Sequence, residues 1–112
     1  SVSNVKSMEN MFSGCIYFNQ DLSNWNVTKV KNMSKMFDRC ESFNQDLSSW
    51  NVSKVTNMSY MFSGCTNFNQ DLSDWNVSNF TVMSGIFDNC TSLNSKKILN
   101  SWKLGPLQKN RG

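Results

Sequence analysis

The sequence predicts an α/β repeat fold, a solenoid of four coils in which each coil contains about 25 residues. Tryptophans and cysteines recur at this spacing, and the apolar residues between them recur with them. A unit of this size is too small to bury its own Val, Met, Phe and Trp side chains, so stacked units must bury one another. The recurring residues are Trp25, Trp50 and Trp75, and Cys15, Cys40, Cys65 and Cys90.

The repeat unit reads WNVxxVxxMxxMFxxCxxFNQDLSx, complete at residues 25–49 and again at 50–74. When the copies are aligned, the apolar residues form columns that we expect to fill the interior. One column contains Val5, Val30, Val55 and Phe80, another contains Met8, Met33, Met58 and Met83, and a third contains Phe12, Phe37, Phe62 and Phe87.

Two segments of each unit suggest secondary structure. The segment FNQDLS favours a short strand, because successive copies could pair in register as parallel strands. The segment TNMSYMFSG favours a short helical or 3₁₀ turn, with Asn57 at its start and Gly64 at its end. The expected domain is 1–102, with coils at about 1–25, 26–50, 51–75 and 76–102, followed by a basic tail at 103–112.

The last copy departs from the pattern, since Trp102 follows Leu93 by nine residues where the rule is seven. An amphipathic cap over the last coil is expected here, ended by Gly105 and Pro106. Its apolar residues are Ile98, Leu99, Trp102 and Leu104. The N-terminal edge has no visible cap, which predicts an exposed edge able to pair with another chain.

The charge distribution argues against a nucleic-acid partner. The chain has 11 basic and 8 acidic residues, but five of the basic residues lie at 96–111, so the repeats are mildly acidic. A nucleic-acid-binding body usually carries a basic stripe. No apolar run is long enough to cross a bilayer, so we expect no direct membrane insertion.

The elements MF, FNQDLS and W together resemble the 25- to 26-residue repeat of BspA-like leucine-rich-repeat surface proteins. The similarity covers about residues 1–94. It implies a right-handed leucine-rich-repeat-like solenoid located at the cell surface or outside the cell. Adhesion is the implied role, with a host or neighbouring-cell protein or glycan as partner.

The cysteine column predicts buried free thiols that act as small apolar core residues. Zinc would need ligands that converge on one point, whereas a column places them in a line. A disulfide between neighbouring coils would need Cβ atoms closer than the coil spacing allows. We therefore expect neither a metal nor a disulfide at these positions.

Polar columns supply the candidate binding residues. Stacked aspartates repel one another, so either hydrogen bonds to nearby serines or backbone, or a bound cation such as calcium, should compensate. Stacked amides can satisfy one another along the axis. The candidates in these columns are Asn19, Asp21, Asn44, Asp46, Asn69 and Asp71, and the candidates at positions that vary between copies are Lys29, Lys54 and Tyr60.

Catalysis is not expected, because the sequence has no His, no Gly-rich phosphate loop and no paired nucleophile and base, and no cofactor is expected either. The leading hypothesis is a non-catalytic surface module for adhesion or for protein or glycan binding. The alternatives are a structural subunit that stacks end to end through its N-terminal edge, and a cation-binding repeat that uses the aspartates. Seven N-x-S/T sequons occur, at Asn26, Asn32, Asn51, Asn57, Asn76, Asn79 and Asn89.

Overall fold

The computed structural model describes residues 3–102. Their regular secondary structure consists of one helix, α1 (Ser95–Ser101), and three isolated parallel β-bridges. The bridges join Ser7 to Asn32, Asn32 to Asn57 and Asn57 to Val82, and no sheet forms within 3–102. The predicted α/β repeat, a leucine-rich-repeat-like solenoid with one strand and one helical turn in each coil, is therefore wrong.

Successive repeats nevertheless stack as irregular coils joined by backbone hydrogen bonds. Alternate amides in the MxxMF segment donate to carbonyls of the next coil at 2.7–3.1 Å, and the amides between them donate to the carbonyl three residues earlier at 2.9–3.2 Å. In coil 3 the first set is Met58, Tyr60, Phe62 and Gly64, and the second set is Met61, Ser63 and Cys65. Because the amides alternate between the stack and local turns, neither a helix nor a strand can form here.

The FNQDLS segment fails to form a strand because side chains take the places of backbone partners. The Asn44 amide donates to the side-chain oxygen of Asn19, in the preceding coil, at 2.9 Å. The Ser48 amide donates to the carboxylate of Asp46, in its own coil, at 2.8 Å. These amides are therefore unavailable for a β-ladder, since each backbone N–H is a single donor.

Aromatic rings align from coil to coil and form the centre of the core. The column of Phe12, Phe37, Phe62 and Phe87 has ring centroids 5.5–5.8 Å apart. Three such steps fit the shortest extent of the molecule, 20 Å, so each end of the stack is a face of about 35 by 31 Å. The indoles of Trp50, Trp75 and Trp102 each donate to a leucine carbonyl of the preceding coil at 2.8–3.0 Å.

Coil 4 contains a one-residue shift that the sequence alignment misses. Its turn is closed by the Thr81 amide on the Ser78 carbonyl, whereas coils 2 and 3 use Val30 and Val55 at the equivalent point. Thr81 is consequently buried, while Phe80 is 91% exposed. The placement of Phe80 in the interior column is therefore wrong. A phenylalanine would overpack a site shaped for valine, and the Thr81 hydroxyl is satisfied by the Val55 carbonyl at 3.1 Å.

Helix α1 fills the position that FNQDLS occupies in the other coils. The Asn94 side chain accepts the Lys97 amide at its start, and Ile98 is its buried residue. The helix returns Trp102 to the tryptophan column, where its ring lies 6.1 Å from that of Trp75 at an angle of 7°. The expected cap residues Leu104, Gly105 and Pro106 lie outside the described residues. No helix within 3–102 is long and apolar enough to cross a membrane.

Two positions in each coil have left-handed backbone. One column contains Asn10, Lys35, Tyr60 and Gly85, with φ between 55° and 62°, and the other contains Gly14, Arg39, Gly64 and Asn89, with φ between 59° and 77°. Non-glycine residues are strained in this region, so the repeated tight turns are held by the stack around them. The prediction that Gly64 ends a helical turn is wrong, because Gly64 occupies one of these left-handed positions in an irregular coil.

Candidate interaction surface

A set of turns in the described chain bears exposed lysines and no acidic residue. Lys6, Lys29, Lys31 and Lys54 are exposed, and residues 3–8, 26–33, 51–58 and 76–83 contain no acidic residue. Hydrogen bonds hold these turns in register, because the Lys31 amide donates to the Lys6 carbonyl and the Thr56 amide donates to the Lys31 carbonyl, both at 2.8 Å. We call this set of four side chains the lysine row.

Phe80 extends the lysine row with an exposed aromatic ring. The shift in coil 4 moves Phe80 to the outer turn position that Lys29 and Lys54 occupy in coils 2 and 3. Its amide donates to the Ser78 hydroxyl at 3.1 Å, which fixes the turn locally. Exposed aromatic side chains beside charged residues are typical anchors at binding surfaces. The sequence-based list of candidates includes Lys29 and Lys54 but misses Lys6, Lys31 and Phe80.

Tyr60 occupies the left-handed position of coil 3, with φ of 55°. A Cβ atom placed on Gly85 would approach the Tyr60 ring within 2.4 Å, so the ring packs directly over that glycine. The Tyr60 side chain remains 41% exposed. Tyr60 therefore has a packing partner in coil 4 and differs in this from Lys54, whose side chain makes no hydrogen bond to another described residue.

The asparagine and glutamine columns form a hydrogen-bonded ladder. The Asn19 side-chain oxygen accepts the Asn44 amide and the Gln45 side-chain nitrogen at 2.9 and 3.0 Å. The Asn44 side-chain oxygen receives the same pair of donors from coil 3, at 2.9 Å each. These candidate binding residues are engaged along the stack, which favours a structural role for them.

The ladder ends beside a small cleft. Coil 4 has Ser95 where coils 2 and 3 have glutamine, and the side-chain oxygen of Asn94 instead accepts the amide of Lys97 at the start of α1, at 3.2 Å. A cavity of about 150 Å³ opens between coil 3 and α1. It is lined by Asn69, Gln70, Asp71, Leu93, Asn94, Lys97 and Ile98.

The aspartate column uses hydrogen bonds within each coil. Asp21, Asp46 and Asp71 each accept the amide of the serine two residues on, at 2.8–2.9 Å. Hydrogen bonds from the backbone and side chain of that serine hold the pKa of each carboxyl below its usual value of 3.8. Asp71 also meets Lys97 at 3.4 Å. The serine hydrogen bonds expected from the sequence are thus present.

The aspartates of residues 3–102 do not converge on a point where several carboxylates could bind one cation. Residues 3–102 contain no group of three or more acidic or cysteine side chains close enough to hold a metal ion. The carboxylates are spaced one coil apart along the stack, as the column predicts.

The cysteines behave differently at the two ends of the stack. All four are free thiols; Cys40, Cys65 and Cys90 are buried, whereas Cys15 is exposed. Each buried thiol donates to a phenylalanine carbonyl of the preceding coil at 3.0 Å. Burial raises the pKa of Cys40 to about 12 and that of Cys90 to about 11. The expectation of four buried thiols is wrong for Cys15, because within residues 3–102 no earlier coil packs over it as coils 1 to 3 pack over the other three thiols.

The asparagines of four sequons shape turns. The side-chain oxygens of Asn26, Asn32, Asn51 and Asn57 accept the amide two residues on at 2.9–3.0 Å. The N-x-S/T pattern therefore recurs partly because this turn recurs in each coil. Asn57 was expected to cap a helical turn, and it closes this turn instead.

The geometry defines a class: a repeat protein whose stacked 25-residue coils bury identical side chains and display rows of polar and charged ones. Within that class, the chain belongs to the family described as "Mycoplasma protein of unknown function, DUF285", which matches residues 1–104. No curated protein and no solved structure matches the chain.

Proposed function

We propose that this chain is a non-catalytic interaction module of a cell-surface protein, similar in role to the BspA-like repeat proteins that its motifs resemble. Its lysine row binds carboxylate or sulfate groups on a protein or glycan of a host or neighbouring cell, and Phe80 packs against an apolar surface beside those groups. The observation that carries this proposal is the combination of four exposed lysines and a 91% exposed phenylalanine on turns without acidic residues.

Three features support this surface over the polar columns. The side chains of Lys6, Lys31 and Lys54 make no hydrogen bond to another described residue, whereas the asparagine ladder joins neighbouring coils and the aspartates accept hydrogen bonds within their own coils. Hydrogen bonds between coils position the turns before any partner arrives, which lowers the entropic cost of binding. Side chains repeated at the coil spacing can also contact a partner that carries charges at intervals.

The proposal predicts binding that weakens with salt, since exposed charge pairs are screened. The test compares the wild-type chain with the double variant Lys29→Gln, Lys54→Gln on an array of sulfated, carboxylated and neutral glycans. Each exposed ion pair is worth about 0.2–1 kcal/mol, so the double variant should lose about 2- to 30-fold in affinity. A parallel pull-down with acidic surface proteins separates a protein source of the anionic groups from a glycan source.

Lys96→Gln is the matched control, because Lys96 is an exposed lysine outside the lysine row. Phe80→Ser tests the aromatic contribution without emptying the core. Equal loss of binding in Lys96→Gln and in the double variant, or full binding by the double variant, would contradict a specific role for these turns.

A further inference from the structure

The C-terminal end of the stack carries a row of backbone donors. In coils 1 to 3, alternate amides of the MxxMF segment donate to the carbonyls of the following coil. The equivalent amides of coil 4 donate to no other described residue. They belong to Met83, Gly85, Phe87 and Asn89.

The N-terminal end carries the complementary row of acceptors. The carbonyls in coils 2 to 4 that receive these amides have counterparts in coil 1, and those counterparts accept no hydrogen bond from another described residue. They belong to Ser7, Glu9, Met11 and Ser13. Backbone rows that have no partner among residues 3–102 can act as templates for pairing with another chain.

The two rows match because they are the two sides of one contact that the chain already makes three times. Each internal contact joins an amide to the carbonyl 24 residues later, as with Tyr60 and Ser84 at 2.9 Å. Placing coil 1 of a second copy after coil 4 repeats this geometry. Gly85 would donate to the Glu9 carbonyl of that copy, and Phe87 to its Met11 carbonyl.

Side chains at the N-terminal end are also more exposed than their counterparts in later coils. Met11 is 40% exposed, whereas its counterparts Met36 and Met61 are fully buried. Phe12 would continue the phenylalanine column on Phe87 of the neighbouring copy. The Cys15 thiol would donate to the Phe87 carbonyl, as Cys90 donates to that of Phe62.

From this complementarity we propose that the amide row of coil 4 binds the carbonyl row of coil 1 in a second copy of this chain. The contact is head to tail, so it leaves one free end at each side and builds open stacks. An end face of about 35 by 31 Å is large enough for the roughly 800 Å² per partner of a standard interface. Helix α1 replaces the asparagine ladder in coil 4, so the hydrogen-bonded contact lies on the side of residues 83–89.

Complementation between two edge variants tests the proposal by sedimentation velocity. Met11→Glu places a charge at the N-terminal end, and Val82→Glu places one at the C-terminal end, at a side chain that is 44% exposed. The wild-type chain should sediment faster as its concentration rises. Each variant alone should remain monomeric. Their equimolar mixture should form a dimer, because each variant retains one unmodified end.

Labelling of Cys15 provides a second readout that non-specific aggregation would not produce. Its rate should fall as the wild-type concentration rises, and it should stay constant in Met11→Glu. A wild-type chain that is monomeric at every concentration overturns the proposal, as does self-association of either variant alone. Lys54→Gln should leave sedimentation unchanged, so failure of stacking and failure of the lysine row are distinguishable.

Discussion

Replacing Trp50 with alanine tests how the core of the stack is held together. The Trp50 side chain is 4% exposed, its ring lies 6.2 Å from that of Phe37, and its indole nitrogen donates to the Leu22 carbonyl at 3.0 Å. Emptying such a site costs about 3–5 kcal/mol in proteins. Because whole domains are stable by only about 5–15 kcal/mol, Trp50→Ala should remove a large part of the unfolding free energy.

Two further variants divide this loss into its parts. Trp50→Phe keeps an aromatic ring but removes the indole hydrogen bond to the Leu22 carbonyl, which still accepts the Trp25 amide at 3.0 Å, so the loss should be about 0.5–1.5 kcal/mol. Trp25→Ala is the matched control, because Trp25 is the partly exposed first member of the same column and makes no indole hydrogen bond to another described residue. Its loss should be less than half that of Trp50→Ala.

Urea denaturation followed by the fluorescence of the remaining tryptophans measures all three variants. Equal losses for Trp50→Ala and Trp25→Ala would refute the reasoning, since they would show that the preceding coil contributes nothing. An unchanged unfolding midpoint in Trp50→Phe would likewise show that the indole hydrogen bond is without consequence.

Three other predictions follow from the described geometry. Gly64→Ala should destabilise the fold by about 1–2 kcal/mol in urea denaturation, because Gly64 has φ of 77° and a Cβ atom there would lie 3.3 Å from the Arg39 Cα. A thiol-labelling assay should modify Cys15 in the native protein and the other three cysteines only after unfolding. Burial raises the pKa of Cys40 from 9.0 to about 12, so the stability that its neutral thiol contributes is complete below pH 9 and is lost as the pH rises towards 12. Cys40→Ala should therefore flatten this part of the curve of unfolding free energy against pH. Asp46→Asn should retain more stability than Asp46→Ala at pH 7, because the asparagine side-chain oxygen can still accept the Ser48 amide. The pKa of Asp46 is lowered in the folded state, so the stability that its carboxylate contributes should disappear as the pH falls below 3.8.

Stacking of equivalent side chains was predictable from spacing, because residues that recur at a fixed interval can be buried only against their own copies. The phenylalanine column follows directly from that spacing. Secondary structure was not predictable in this way. The Asn19 and Asp46 side chains compete with backbone carbonyls for amide donors, and the sequence pattern does not show which acceptor wins.

The candidate surface was predicted only in part. Lys29 and Lys54 were identified because they vary between copies, and Lys6 and Lys31 carried the same signal at a spacing of 25 residues. Phe80 gave no such signal, because the repeat places it in the valine column. Its exposure depends on a one-residue shift that moves Thr81 inward.

By itself the sequence determined the period of the chain, the identity of most core columns and the absence of histidine, since these depend only on residue type and order. The tertiary structure alone decided which acceptor each amide finds, where coil 4 shifts its register, and which thiol is exposed. The physical reason is that each amide donates to the acceptor that lies within hydrogen-bonding distance once the aromatic columns have packed. Those distances exist only in the assembled stack.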